Sequence, residues 1–247
     1  MFFNSKEELI NKLSNLKEIG NGSQGTCYLD IKTNLVYKIF NQFVDNDEDK
    51  INYTELEFLK FNNIKNNTFI WPQDIITIES EIVGYITQYV NARPLSTINP
   101  LEIDLNDFCN HIKLAHKDIE TLSLNGVLTF DLMYNLLYNN AFFITDCDEF
   151  NYSNKNELLL LEINKYNFNF ELYYFLIAGY FDEFILDHQK LYRLYRSKEE
   201  DIFAFIKLLR NYLSEYVGHD VKKLSDAYEC INKKEVKQYS YFRVLSK

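Results

Sequence analysis

Apolar positions recur with two different periods along this chain, and the change of period divides it. Up to about residue 90 the apolar residues alternate with polar ones in short stretches bounded by Gly, Asn and Pro, the pattern of half-buried strands. Ser5-Lys6-Glu7-Glu8 is a capping-box pattern and predicts a short helix through about Leu13. Leu16–Leu29 alternates on both sides of a glycine cluster and predicts strand, turn, strand. The next strand is Leu35–Phe40, entered through the polar turn Lys32-Thr33-Asn34. Asp45–Asp49 is an acidic patch suited to the first turn of a helix, where it complements the macrodipole. That helix is expected to run on through Ile51, Glu55, Phe58, Leu59 and Phe61. Thr68–Ile78, interrupted by Trp71-Pro72, and Glu81–Val90 predict two further strands.

After Pro100 the period becomes helical. Leu105, Phe108, Ile112, Ala115, Ile119 and Leu122 recur at threes and fours and predict one long amphipathic helix that ends at Gly126. Two apolar runs follow, joined by Asn139-Asn140. Both Asn residues tolerate positive φ, so a hairpin with a two-residue turn is expected there. Beyond Asp148 the pattern predicts helices at Asn154–Asn164, Phe170–Phe181, Glu183–Tyr195, Ile202–Val217 and Val221–Asn232, with a second capping-box pattern at Ser197-Lys198-Glu199-Glu200. Tyr173, Tyr174, Phe175, Phe203 and Phe205 read as core, with a partner-binding surface as the alternative. His111 and His116 border the stripe of the long helix and read as structural or solvated residues.

Composition narrows the function classes. Hydrophobic residues make up 47% of 247 positions, enough for a sizeable core, and 19 Tyr with 20 Phe make that core aromatic. A formal net charge of −10 argues against general nucleic-acid binding, which needs clustered Lys and Arg. The four Cys (Cys27, Cys109, Cys147, Cys230) form no CxxC pair and read as free thiols in a reducing cytoplasm. Met1-Phe2-Phe3-Asn4-Ser5-Lys6-Glu7-Glu8 brings in acidic residues early, unlike a signal peptide. The longest apolar run, Leu172–Phe181, is too short to span a bilayer, so no membrane partner is expected.

Candidate chemistry concentrates in three places. Gly20, Gly22 and Gly25 stand in G-x-G-x-x-G order between two strands. A dinucleotide fingerprint would open into a helix instead, so the context favours a turn whose backbone covers phosphates, and a plain glycine hairpin is the alternative. One strand later, Lys38 interrupts an apolar run, as an edge lysine or as a phosphate ligand. Glu55 shares a helical face with Ile51, Phe58 and Leu59, and a Glu on an apolar face needs a cation, for which Lys38 is the candidate. Last comes the stretch Gly126–Asp148, with Asp131 on a loop, Asn135 four residues on, and Asp146-Cys147-Asp148 after the hairpin. The hairpin should return Asp146 to the start of its first strand, so that Asp131, Asn135 and Asp146 converge. A carboxylate to orient a hydroxyl, with an amide and a carboxylate for Mg²⁺, is what phosphoryl transfer from ATP requires.

In this order of motifs, over roughly residues 15–150, the chain resembles the protein-kinase-like superfamily, in particular small bacterial-type protein kinase domains. The second acid, Asp148, is similar to what aminoglycoside- and choline-kinase-like phosphotransferases carry. The resemblance implies an α+β, bilobal fold: an antiparallel β N-lobe at 1–90 and a mainly helical C-lobe at 91–247, together one kinase-like domain. It implies ATP and Mg²⁺ as cofactors. Gly20, Gly22 and Gly25 would cover the phosphates, with Lys38 on the α- and β-phosphates and Glu55 holding Lys38. Thr87 would guard the adenine pocket, and Gln88 and Val90 would meet adenine. Asp131 would act on the acceptor hydroxyl, while Asn135, Asp146 and Asp148 would hold metal. The partner besides ATP would be a hydroxyl acceptor, either protein Ser/Thr or a small molecule.

Four departures from the family pattern bear on activity. The Asp131–Asn135 gap is one residue shorter than usual, and Thr129-Phe130 replace His-Arg. Met133 replaces the Lys or His two positions after the Asp, and no Ala-Pro-Glu segment follows. The resemblance therefore implies an ATP-dependent kinase, with a small-molecule kinase or a non-catalytic ATP-binding scaffold as alternatives.

Overall fold

The computed structural model describes residues 1–44, 54–132, 135–198 and 201–231. The chain forms two compact units: Met1–Asn91 with Thr145–Asp148, and Ala92–Ile144 with Glu149–Lys247. The first is built on a sheet and the second on helices, the α+β class expected from the sequence and the arrangement a protein-kinase-like fold implies.

In chain order the first unit contains β1 (Phe2–Phe3), α1 (Lys6–Leu13), β2 (Lys17–Asn21), β3 (Gly25–Asp30), β4 (Leu35–Phe40), α2 (Asn41–Val44), α3 (Glu55–Leu59), β5 (Asp74–Ile78) and β6 (Glu81–Gln88). The strands form one sheet in the order β1-β5-β6-β4-β3-β2, antiparallel except for the β1–β5 pair. Ser5 caps α1 by accepting from the Glu8 backbone N–H at 3.3 Å, as its capping pattern predicts. One core cluster gathers Phe3, Leu9, Tyr37, Ile39, Ile76 and Ile86. A second gathers Phe40 and Tyr85 under Phe58 of α3. Alternation along β4 sends Tyr37 and Ile39 to the first and Phe40, with Lys38, to the other side.

Several expectations change. The strand expected from Thr68 is confined to Asp74–Ile78. Pro72 cannot donate to a ladder, and Phe69 and Trp71 stack at 5.7 Å while Trp71 Nε1 donates to Ile64 O at 3.0 Å. The helix expected from Asp45 through Ile51 lies largely outside the described residues, whose helical part here is Glu55–Leu59.

The second unit contains β7 (Arg93–Pro94), α4 (Leu105–Leu124), β8 (Val127–Leu128), β9 (Leu136–Tyr138), β10 (Phe142–Ile144), β11 (Asn151–Tyr152), α5 (Glu157–Ile177), α6 (Asp182–Leu186), α7 (Gln189–Ser197), α8 (Ile202–Val217) and α9 (Ser225–Ile231). The apolar stripe of α4 is buried as predicted, and Phe108 meets Phe175 of α5 at 5.6 Å. The two helices expected at 154–164 and 170–181 are one, α5. Asn favours caps and turns, which suits a helix end at Asn164, yet Asn164 is buried and its side chain bonds across to the neighbouring loop. The single helix expected at 183–195 is two, separated at Asp187-His188. β9 and β10 pair Tyr138 with Phe142, leaving a three-residue loop in place of the two-residue turn, with Asn140 at φ 53°. Glu199, Glu200 and Asn232 lie outside the described residues. Among the described residues no helix is long and apolar enough to cross a membrane.

Two glycines fix how closely the strands of the first unit approach. A Cβ on Gly25 would lie 2.5 Å from Ile39 O, and one on Gly84 would run into Lys38 O. Gly20 has open space around it. Gly84→Ala should therefore lower the unfolding free energy by roughly 1–3 kcal/mol, as overpacking does, whereas Gly20→Ala should change it far less. Urea titration of both variants checks this, and an unshifted midpoint for Gly84→Ala would contradict the β4–β6 register.

Candidate active site

The register of the sheet builds one row of side chains across three strands. Cys27 of β3 stands opposite Lys38 of β4, which stands opposite Tyr85 of β6. Lys38 is buried, and its ammonium lies 5.4 Å from the centre of the Tyr85 ring. A buried ammonium needs a counter-charge, and Asp146 supplies it from a segment 108 residues further along the chain. Asp146 Oδ1 accepts from Lys38 Nζ and, at 2.8 Å, from Tyr85 Oη. Gln24 Oε1 lies 3.4 Å from Lys38 Nζ, and Asp148 Oδ1 lies 4.0 Å from it. Asp146 has φ 59°, a left-handed conformation that Asp tolerates better than most residues.

Electrostatics separate the two acids. Burial opposes ionisation of Asp146, but Lys38 and hydrogen bonds from Asp148, Lys38 and Tyr85 outweigh it and hold the carboxyl below its usual range. Burial pushes Asp148 up to about 7 against the pull of Lys38, and the hydrogen bond to Asp146 and its charge add to the rise. Asp148 Oδ1 is buried and, among the described residues, accepts no hydrogen bond. Burial, aided by Asp146 and Asp148, pushes the Tyr85 phenol well above its ordinary value, so it remains a donor. Burial likewise raises the Cys27 thiol, which keeps it neutral and poorly nucleophilic.

The donor set is of the kind that suits hard divalent cations. Mg²⁺ is commonly held by one or two carboxylates, the remaining ligands being phosphate oxygens and water. Asp146 and Asp148 form such a pair, and the observation that speaks for an ion is Asp148 Oδ1, buried 4.0 Å from Lys38 Nζ with no hydrogen bond among the described residues. Among the described residues no group of three or more His, Cys, Asp and Glu could hold a metal by itself. The pair therefore suits an ion that arrives with phosphates.

The glycine turn is tied down by a residue not singled out in the sequence. Gly22 N–H donates to Gly25 O at 3.0 Å. Asn41, just after β4, donates its side-chain amide to Gly22 O at 2.9 Å and Ser23 O at 3.1 Å, and its backbone N–H to Gln24 O at 3.0 Å. Glu55 is placed differently from expectation. It is exposed at the first position of α3, where Glu57 accepts from Thr54, and among the described residues it makes no ion pair with Lys38. Because α3 begins at Glu55, that carboxylate lies in the solvated first turn of the helix. Thr87 is half-buried opposite Val36, Gln88 is exposed and donates to Asn34 O at 2.9 Å, and Val90 is half-buried beyond the strand.

Asp131 and Asn135 belong to the second unit. Asp131 is exposed with φ 43°, and Asn135 Nδ2 closes the loop onto Asp131 O at 3.0 Å. Met133 lies outside the described residues. Thr129, in the place of the usual His, is fully buried and donates both its N–H and its hydroxyl to Asn164 Oδ1, at 2.9 and 3.1 Å. Asn164 donates in turn to Val127 O at 2.8 Å and Ser123 Oγ at 3.0 Å, and Asn167 donates to Thr129 O at 3.0 Å. Two Asn of α5 thus hold the loop that carries Asp131. Their one trace in the sequence is polarity inside an apolar helix. Tyr85, by contrast, becomes visible only once the β4–β6 register is known.

No family model and no curated protein matches the chain. Among solved structures it is similar to a chain of the CAK complex from Chaetomium thermophilum bound to ATP-gamma-S, with 14% sequence identity and a TM-score of 0.45 over 61% of this chain and 52% of that one. The chain thus spans about half the length of that solved chain.

The raised Asp148 carboxyl makes stability depend on pH. The folded state keeps a proton that the unfolded chain releases near pH 3.8, so stability falls as pH rises from about 4 to about 7 and levels off above. Asp146, held low, acts in the opposite sense and only below its ordinary range. Asp148→Asn removes the first effect. In metal-free buffer its melting temperature should gain on wild type between pH 5 and 8, and parallel curves would show that Asp148 ionises normally.

Proposed function

We propose that this chain is an ATP-dependent phosphotransferase that moves the γ-phosphate to a hydroxyl, on the pattern of Ser/Thr protein kinases. The observation that carries the reading is the buried Lys38 between a glycine turn and an acid pair. A buried ion pair contributes little to stability relative to an apolar one, and perturbed acids gathered around a lysine are more common at functional sites. The turn at Gly20, Gly22 and Gly25 offers backbone to phosphates, and Lys38 offers them a positive charge. Asp146 is the anchor of Lys38, in the role first expected of Glu55. Thr87, Gln88 and Val90 are assigned to adenine by their place at the end of β6.

Motif order assigns the acceptor hydroxyl to Asp131. Its carboxylate takes the hydroxyl proton while the acceptor oxygen bonds to the γ-phosphorus. The bond from that phosphorus to the bridging oxygen breaks, and ADP leaves. Asn135, Asp146 and Asp148 are assigned to Mg²⁺, which when bound neutralises charge on the phosphates. The second acid, Asp148, favours a small-molecule hydroxyl as the competing acceptor class.

Transfer of labelled γ-phosphate should be measured with the protein itself, Ser/Thr peptides, aminoglycosides and choline as acceptors. Asp131→Asn should leave ATP affinity nearly intact and lower turnover by about 10²–10⁴-fold, the usual contribution of a general base. Wild-type protein that binds Mg²⁺-ATP and phosphorylates none of these acceptors would favour a scaffold. Full turnover by Asp131→Asn would give the role to another residue.

A further inference from the structure

The hydroxyl of Tyr85 has no part in the roles assigned above, yet it is buried and bonded to a proposed metal ligand. Tyr85 is 3% exposed, its ring meeting Phe58 at 5.3 Å and Phe40 at 6.0 Å. A phenylalanine would fill that cluster equally well. The phenol adds only a polar atom that must find a partner once removed from water, and its partner is Asp146 Oδ1 at 2.8 Å. Lys38 uses the same oxygen. Two donors on one carboxylate oxygen fix the rotation of the group, and they direct its other oxygen away from both donors.

We propose that Tyr85 is a positioning residue: through its buried hydroxyl it holds Asp146 in the orientation that binds a divalent cation. The inference rests on the phosphotransferase reading of the same acids. The two donors differ in availability. Lys38 is assigned to phosphates and leaves Asp146 to the extent that they claim its charge. Tyr85 is neutral, rigid and packed between aromatic rings, so its bond to Asp146 does not compete with nucleotide. Tyr85 is therefore the donor that stays on the carboxylate when the site is loaded.

The test is Mn²⁺ affinity, read by electron paramagnetic resonance with a non-hydrolysable ATP analogue present, on wild type, Tyr85→Phe, Tyr85→Met, Asp146→Ala and Phe40→Leu. Loss of a partner that orients a metal ligand typically costs 10–100-fold in metal affinity. Tyr85→Phe and Tyr85→Met, which both fill the site without a donor, should each show that loss while binding the analogue in EDTA as wild type does. Phe40→Leu loosens the same cluster and leaves the hydroxyl, so its Mn²⁺ affinity should stay at the wild-type value. If Asp146→Ala abolishes binding while either folded Tyr85 variant binds Mn²⁺ like wild type, the role of Tyr85 is overturned and the phosphotransferase reading stands. If wild type itself binds no Mn²⁺ with the analogue, both fall.

Discussion

A lysine ammonium taken out of water has to meet negative charge, and in the first unit that requirement falls on Lys38. The cost of burying an unpaired charge is large, so whatever segment supplies the counter-charge becomes part of the same compact unit. Here it is Thr145–Asp148, which clusters with the sheet although it is remote in sequence. The meeting of Lys38 with Asp146 ties β4, the glycine turn through Gln24, and β6 through Tyr85 into one polar cluster beneath an aromatic layer. The close strand approach at Gly25 and Gly84 belongs to the same constraint, because it sets the register that puts Cys27, Lys38 and Tyr85 in line.

The cluster is unbalanced in a way that bears on chemistry. One ammonium faces two acids, and the structure resolves the mismatch by leaving one acid ionised and the other with a raised affinity for its proton. One carboxylate oxygen, Asp148 Oδ1, stays buried without a hydrogen bond among the described residues. Such an arrangement is poor as a stability device, since an apolar replacement of equal volume would do as well or better. Under the proposed function, the proton and the ammonium occupy places that a divalent ion with phosphates would take over.

Much of this was legible in the sequence, for identifiable reasons. Strand and helix periods at Leu35–Phe40, Glu81–Val90, Leu105–Leu122 and Ile202–Val217 are regular, and these elements form close to where the pattern places them. Lys38 was visible as a charge inside an apolar run. Its partner was not, because helical spacing suggested Glu55, whereas pairing depends on where a loop distant in sequence returns. Asn164 suits the end of a helix by local propensity alone, and nothing local marks Asn167. Their true partners, Thr129 and Val127, are reached only through packing of α5 beside β8. Asn41 and Tyr85 were unremarkable as residues and acquire meaning only from the strand register.

Under the proposed function, the Lys38 cluster with its glycine turn receives nucleotide phosphates together with a divalent ion. The most direct measurement is the melting temperature of wild type and Lys38→Met with and without Mg²⁺-ATP. A ligand that binds only the folded state stabilises it by roughly 2.7 kcal/mol at a hundredfold excess over its dissociation constant. A clear rise is expected for wild type with ATP, enlarged by Mg²⁺ and largely lost in Lys38→Met. A wild-type melting curve left unmoved by millimolar Mg²⁺-ATP would contradict it.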